Sequence, residues 1–220
     1  MIGYTLEEAF EALGMSKYAE TMLRGCYEQS HRKYHNLEHL RDMLSHVPRS
    51  IMGVETILEA ILYHDIVYLA EPTPPGFNEA LSAAEYLLYA MRVIGSHPNP
   101  FANSELNLIH EINVIEAINA TSRHTEDQEN LKVFSHYVLD LDLCSLADKE
   151  HFTRASKLIR EEYSQVDEIA FAEGRRAFLK ALISRKAIFY VMKEWEASAR
   201  LNLQDEISLL TDKLEGKDHA

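Results

Sequence analysis

Apolar residues recur at intervals near 3.6 along almost all of this 220-residue chain, and no stretch alternates strictly between apolar and polar as a half-buried strand must. With 8 glycines and 6 prolines, breaks in that pattern are few. Pro72, Pro74, Pro75 and Gly76 mark one loop at residues 70–77, and Pro98 and Pro100 mark another at 96–103. Between these breaks the spacing predicts helices. Thr5-Leu6-Glu7-Glu8 fits a capping box and starts the first. A second covers 16–30, with Tyr18, Met22 and Cys26 on one face. Asn36 reads as the N-cap of a third, which buries Leu37, Leu40, Leu44 and Val47. A strongly apolar helix over 53–68 is expected to be central. Asn78 reads as the cap of the next, followed by helices at 104–120, 126–147, 149–163, 168–185 and 186–214. The expectation is an all-α fold in one domain.

Bulk properties narrow the function. No apolar run approaches the roughly 20 residues of a membrane helix, and residues 1–10 carry no secretory-signal pattern. Two cysteines, Cys26 and Cys144, are too few for a disulfide framework and suggest a reducing, cytoplasmic setting. The net charge of −13 argues against nucleic acid, since Arg32-Lys33 and Arg175-Arg176 are too short for a basic stripe. An acidic protein can still take a phosphorylated small molecule where a metal and a few cations converge.

The chemistry concentrates in three places. Leu62-Tyr63-His64-Asp65 ends an apolar run in an imidazole and a carboxylate, a mixed ligand set suited to a divalent ion. Neighbouring helical residues point about 100° apart, so both can serve one ion only near a helix end. His35-Asn36-Leu37-Glu38-His39 offers a further imidazole, His39. Leu139-Asp140-Leu141-Asp142-Leu143 offers a carboxylate in an apolar setting, where an unpartnered charge is costly. Asp140 and Asp142 lie about 200° apart on a helix, so only one can face the ion; spacing leaves the choice open. His46, His97, His110, His136 and His151 are read as ordinary core or surface histidines.

Other catalytic designs lack their residues. A zinc-protease helix needs Glu directly after its first His, where Asn36 stands. There is no Gly-x-Ser-x-Gly elbow, no activating cysteine neighbourhood and no phosphate-cradling Gly-rich loop.

Tyr34-His35-Asn36-Leu37-Glu38-His39, His64-Asp65 and Asp140-Leu141-Asp142 together resemble the HD superfamily of metal-dependent phosphohydrolases. The hexapeptide is also similar to the Tyr-His-Asn-x-x-His motif of cyclic-nucleotide phosphodiesterases. A closer resemblance is to a bacterial family of uncharacterised HD proteins. Its further marks stand here as Asn78-Glu79-x-x-Ser82-Ala83, Ala120-Thr121-x-x-His124, Ile159-Arg160-x-Glu162-Tyr163, Gly174-Arg175 and Ala199-Arg200-x-Asn202-Leu203, so the likeness spans residues 34–210.

The resemblance implies an HD helical bundle, with a metal-site core at about 30–147 and C-terminal helices at about 149–214. It implies His39, His64, Asp65 and Asp142 as ligands of a divalent ion (Mn, Fe, Co, Ni, Zn or Mg), with a second ion if His124 coordinates. Asp140 becomes a supporting or structural residue. Asp65 would orient or deprotonate water and His35 would protonate the leaving group, with Glu79 or Glu38 offsetting its charge. His124, Arg160 and Arg175 are candidate phosphate contacts, and Asn78 and Glu79 candidate pocket residues. The implied activity is hydrolysis of a small phosphate ester, such as a nucleotide. A catalytically weak metal- or nucleotide-binding sensor is the alternative. No His-Pro-Gly follows the dyad, so cyclic-nucleotide cleavage is not implied. The long C-terminal helix leaves a homodimer open.

Overall fold

The computed structural model describes residues 3–69, 73–96 and 104–216. Residues 70–72 and 97–103, including most of the second expected loop and His97, lie outside the described residues. Ten α-helices follow one another, and the described residues contain no strand. None of these helices is long and apolar enough to cross a membrane, and both cysteines are free thiols.

Helix α1 (Leu6–Ala12) opens with the expected capping box: Glu8 N–H donates to the Thr5 hydroxyl at 3.1 Å and Thr5 N–H to the Glu8 carboxylate at 2.8 Å. In α2 (Lys17–Tyr27) the face carrying Tyr18 and Met22 is exposed, and Leu23 and Tyr27 point inward instead. Tyr27 is drawn in by its hydroxyl, which donates to the Leu62 carbonyl at 3.1 Å and accepts from Asp65 N–H at 3.3 Å. Helix α3 (Leu37–Ser45) starts at its Asn36 cap and buries Leu37, Leu40 and Leu44, with Val47 just beyond.

Helix α4 (Val54–Tyr63) is central, packed against α3 and the three helices that follow, α5 (Phe77–Ser96), α6 (Ser104–Thr121) and α7 (Val133–Asp142). It stops at Tyr63, five residues before its apolar pattern ends. Side chains take the backbone groups that would have continued it. Arg32 donates to the carbonyls of Asp65 (2.6 Å) and Ile66 (3.0 Å), and Val67 N–H goes to the Ser82 hydroxyl. Asn78 lies inside the first turn of α5 rather than capping it; its side chain accepts Leu69 N–H at 3.4 Å.

Helix α7 is shorter than expected. Residues 126–132 turn around Gln128, whose amide donates to the carbonyls of Ala120 and Arg123. A 3-10 turn, Cys144–Ala147, follows α7 and leads to α8 (Lys149–Glu162) and α9 (Glu168–Ser184), capped by Asp148 and Asp167. The segment 186–192 is not helical. Its amides are claimed from outside: Ile188 and Phe189 by Glu196, and Tyr190, Val191 and Met192 by Asp140. Helix α10 (Glu196–Leu214) then packs on α9 and α8. One apolar cluster runs from Leu6 to Leu203 and joins the N-terminal and C-terminal helices.

Candidate metal centre

The early end of α4 matters chemically. His64 is its C-cap and Asp65 the first residue past it, so the pair stands at the helix end, where other segments can approach both side chains. His39, in the first turn of α3, and Asp142, the last residue of α7, meet them. His39 Nε2 lies 3.0 Å from Asp142 Oδ1, and His64 Nε2 lies 3.5 Å from the same oxygen and 3.1 Å from Asp65 Oδ2. His124, just past α6, reaches the other Asp142 oxygen at 2.7 Å. One donor atom from each of His39, His64 and Asp142 lies within 4.8 Å of the others, close enough for one ion. Three other segments of the chain thus converge on Asp142.

The donor set fits a divalent ion. His64 Nδ1 donates to the Ile61 carbonyl at 2.9 Å, which fixes the ring and aims Nε2 at the carboxylates. Yet Nε2, fully buried, makes no hydrogen bond of proper geometry. A buried polar atom left unpaired is costly, and a cation between it and the carboxylates removes that cost. Burial works against a charged His64 ring, but Asp65 and Asp142 outweigh it and raise its pKa well above the usual imidazole value. Asp142 moves the other way: burial pushes it up, but His64, His124 and His39 hold it well below the usual carboxylate range. A divalent cation bound here would replace the proton that this anionic cluster otherwise draws onto imidazole.

Next to the cluster, His35 Nδ1 sits 2.5 Å from Glu162 Oε1. The second Glu162 oxygen accepts the amides of Lys33, Tyr34 and His35 at 2.8, 2.9 and 3.1 Å. Glu162 therefore fixes both the His35 ring and the loop that carries it. Burial lowers the His35 pKa, but Asp65 and the Glu162 hydrogen bond more than offset this and raise it. Burial raises Glu162, but His35 outweighs it and the pKa is held down to about 2. The sequence had pointed to Glu79 or Glu38 for this part. Glu38 instead pairs with Arg41 on the surface at 2.6 Å, and Glu79, on the cavity wall, interacts with Asp65, Asp142 and His124 rather than with His35. Glu162 stood in a quoted motif, but nothing in its spacing said that α8 returns to residue 35. Arg32, set aside as half of a basic pair, is buried and also donates to the His35 carbonyl.

A cavity of about 730 Å³ opens over the cluster. His35, Asp65, His124 and Asp142 line it, as do Asn78, Glu79 and Arg175. Two candidates are used otherwise. Arg160 donates to the carbonyls of Tyr163 and Val166, closing the end of α8 outside the cavity wall. Asp140 points away from the cluster, fully buried, with three backbone amides on its carboxylate. The five histidines read as ordinary stay outside the cluster where described: His46 stacks edge-on with Trp195, His110 pairs with Glu59, His136 bonds the Gln128 carbonyl and His151 pairs with Asp42.

Comparison of the chain with protein-family models, with curated proteins and with solved structures gave no significant match.

Proposed function

We propose that this protein is a metal-dependent phosphohydrolase of HD type that cleaves a small phosphate ester. The observation that carries the reading is the unpaired, buried His64 Nε2, held with His39 and Asp142 within one ion's reach beneath a cavity. His39, His64 and Asp142 would hold the ion, with Asp65 and His124 at its edge. Bound there, a divalent ion supplies Lewis acidity and lowers the pKa of water.

The chain's own groups supply the rest. Asp65, anionic and facing the cavity, orients a water molecule or takes its proton. With Nδ1 committed to Glu162, His35 has Nε2 left to protonate the departing oxygen, and the neighbouring carboxylates that raise its pKa favour the protonated ring. The ring is held from its other face by Tyr68, stacked with centroids 4.5 Å apart. A mere metal binder has no use for an imidazole oriented in this way.

The test is elemental analysis of untagged protein together with a screen of phosphate esters in Mn, Fe, Co, Ni, Zn and Mg. His64→Ala and Asp65→Ala should lose most of the metal and all hydrolysis while keeping helical circular dichroism. Full activity in both variants defeats the reading. His35→Ala should keep its metal and slow turnover roughly 10²–10⁴-fold, most for esters with poor leaving groups. An equal loss for activated and unactivated esters removes the general-acid role.

A further inference from the structure

The cavity has two unlike halves. Near the cluster it is polar. Farther out it runs between α8 and α9, where Phe152 and Ile159 face Phe171, Phe178, Leu179 and Leu182. On α8 the wall positions 152, 155 and 159 form one helical stripe, and on α9 positions 171, 174, 178 and 182 form another. Amphipathic stripes of this kind normally close on each other. Here the closure is partial: α9 packs mainly on α10, Phe152, Leu179 and Leu182 are buried, and Arg175 of α9 reaches the Ser156 hydroxyl of α8, while Ile159, Phe171 and Phe178 keep surface open on the cavity wall. A cavity of this size is in the range of about 300–1,000 Å³ typical of small-molecule pockets.

The charge pattern limits what fits. Among the described lining residues the single Arg or Lys is Arg175. Its guanidinium is already taken by Glu206, at 3.0 and 3.2 Å, and by the Ser156 hydroxyl at 3.3 Å. Polyphosphates are held by several Arg or Lys groups or by Mg²⁺ clamps. The described lining offers no such set.

We infer that the outer chamber is the binding site for an apolar alcohol part of a substrate carrying one phosphate. The phosphate lies at the histidine–aspartate cluster and the hydrocarbon or aryl body between α8 and α9. This rests on the phosphohydrolase reading for the position of the phosphate, and on the two apolar stripes for the rest.

Methyl, butyl and octyl phosphate test it, with kcat/KM measured on the full chain in the best metal. Each buried methylene should raise kcat/KM about two- to fourfold until the chamber fills. Calorimetric titration with butyl- and octylphosphonate should show affinity rising along the same series without turnover. Gly174 is helical, and a Cβ there meets nothing within 4 Å, so Gly174→Leu can project into the chamber without a backbone clash. The octyl-to-methyl ratio, taken within that variant, should fall towards one. If no ester is hydrolysed in any metal, the phosphohydrolase reading fails, while the phosphonate series still judges the chamber. If esters are hydrolysed but neither rate nor affinity depends on chain length, or a nucleoside mono- or triphosphate outperforms octyl phosphate, the chamber proposal is overturned and the hydrolase stands.

Discussion

Asp140 and Asp142 sit two residues apart in one apolar stretch of α7, and they do opposite work. Asp142 collects imidazoles: His39, His64 and His124 all lie within 3.5 Å of its oxygens. Asp140 collects backbone: Tyr190, Val191 and Met192 donate their amides to it at 2.6–3.0 Å. The first set keeps capacity in reserve, because His64 Nε2 remains unpaired beside a cavity. The second set is closed, with every contact made inside the protein. A buried carboxylate is thus no sign of a site by itself. What separates a ligand from a structural bolt is whether the partners leave room and bonding capacity for something more.

The sharpest way to break the comparison is to neutralise each carboxylate in turn. Asp142→Ala should abolish bound metal, seen by elemental analysis, and lower hydrolysis by at least about a thousandfold, with little loss of helical signal. Metal retained at full stoichiometry would place the ligand elsewhere. Asp140→Ala should do the reverse. Three backbone amides, one of them buried, lose a charged acceptor, so urea unfolding should show a loss of roughly 3–5 kcal/mol, while the folded fraction still binds metal. If the two variants behave alike, the division of labour is wrong.

A smaller effect is expected at the edge of the centre. Glu162→Gln should keep metal but reduce kcat about 10–100-fold. The Glu162 charge favours the imidazolium of His35 and raises its pKa. Without that charge the acid form is lost at lower pH, so the alkaline limb of the kcat profile should move to lower pH. A limb that stays in place would separate Glu162 from the proton donor. The smallest effect belongs to a second histidine–carboxylate group, where His110 Nε2 lies 2.6 Å from Glu59 and Nδ1 lies 3.1 Å from the Thr56 hydroxyl. Both ring nitrogens are satisfied, so His110→Gln should leave metal content unchanged. The Glu59 hydrogen bond raises the His110 pKa. Its contribution is therefore present below the unfolded pKa and lost as pH rises through the folded one. The variant should cost up to about 1 kcal/mol at pH 5 and less at pH 9 by chemical denaturation.

Much of the helical plan was legible. The Thr5 capping box, the Asn36 cap and the buried stripe of α3 depend on contacts within a few residues, which spacing encodes directly. The errors fall where a distant group intervenes. Helix α4 ends at Tyr63 because Arg32, Tyr27 and Ser82 take backbone groups at the turn. The segment 186–192 leaves the helix because Asp140 and Glu196 claim its amides. Which face of α2 turns inward was not legible, because Tyr18 and Tyr27 are alike in sequence and only the fold supplies the partners that draw Tyr27 in.

By itself, then, the sequence determined that the chain is helical and which residue types can hold an ion, because periodicity and side-chain chemistry are local properties. Only the tertiary structure decided that His39, His64 and Asp142 converge, that Asp140 does not join them, and that Glu162 returns from α8 to hold His35. Those outcomes hang on which carbonyl, amide or imidazole lies within about 3 Å across separations of 50 to 130 residues, and no spacing along the chain records that.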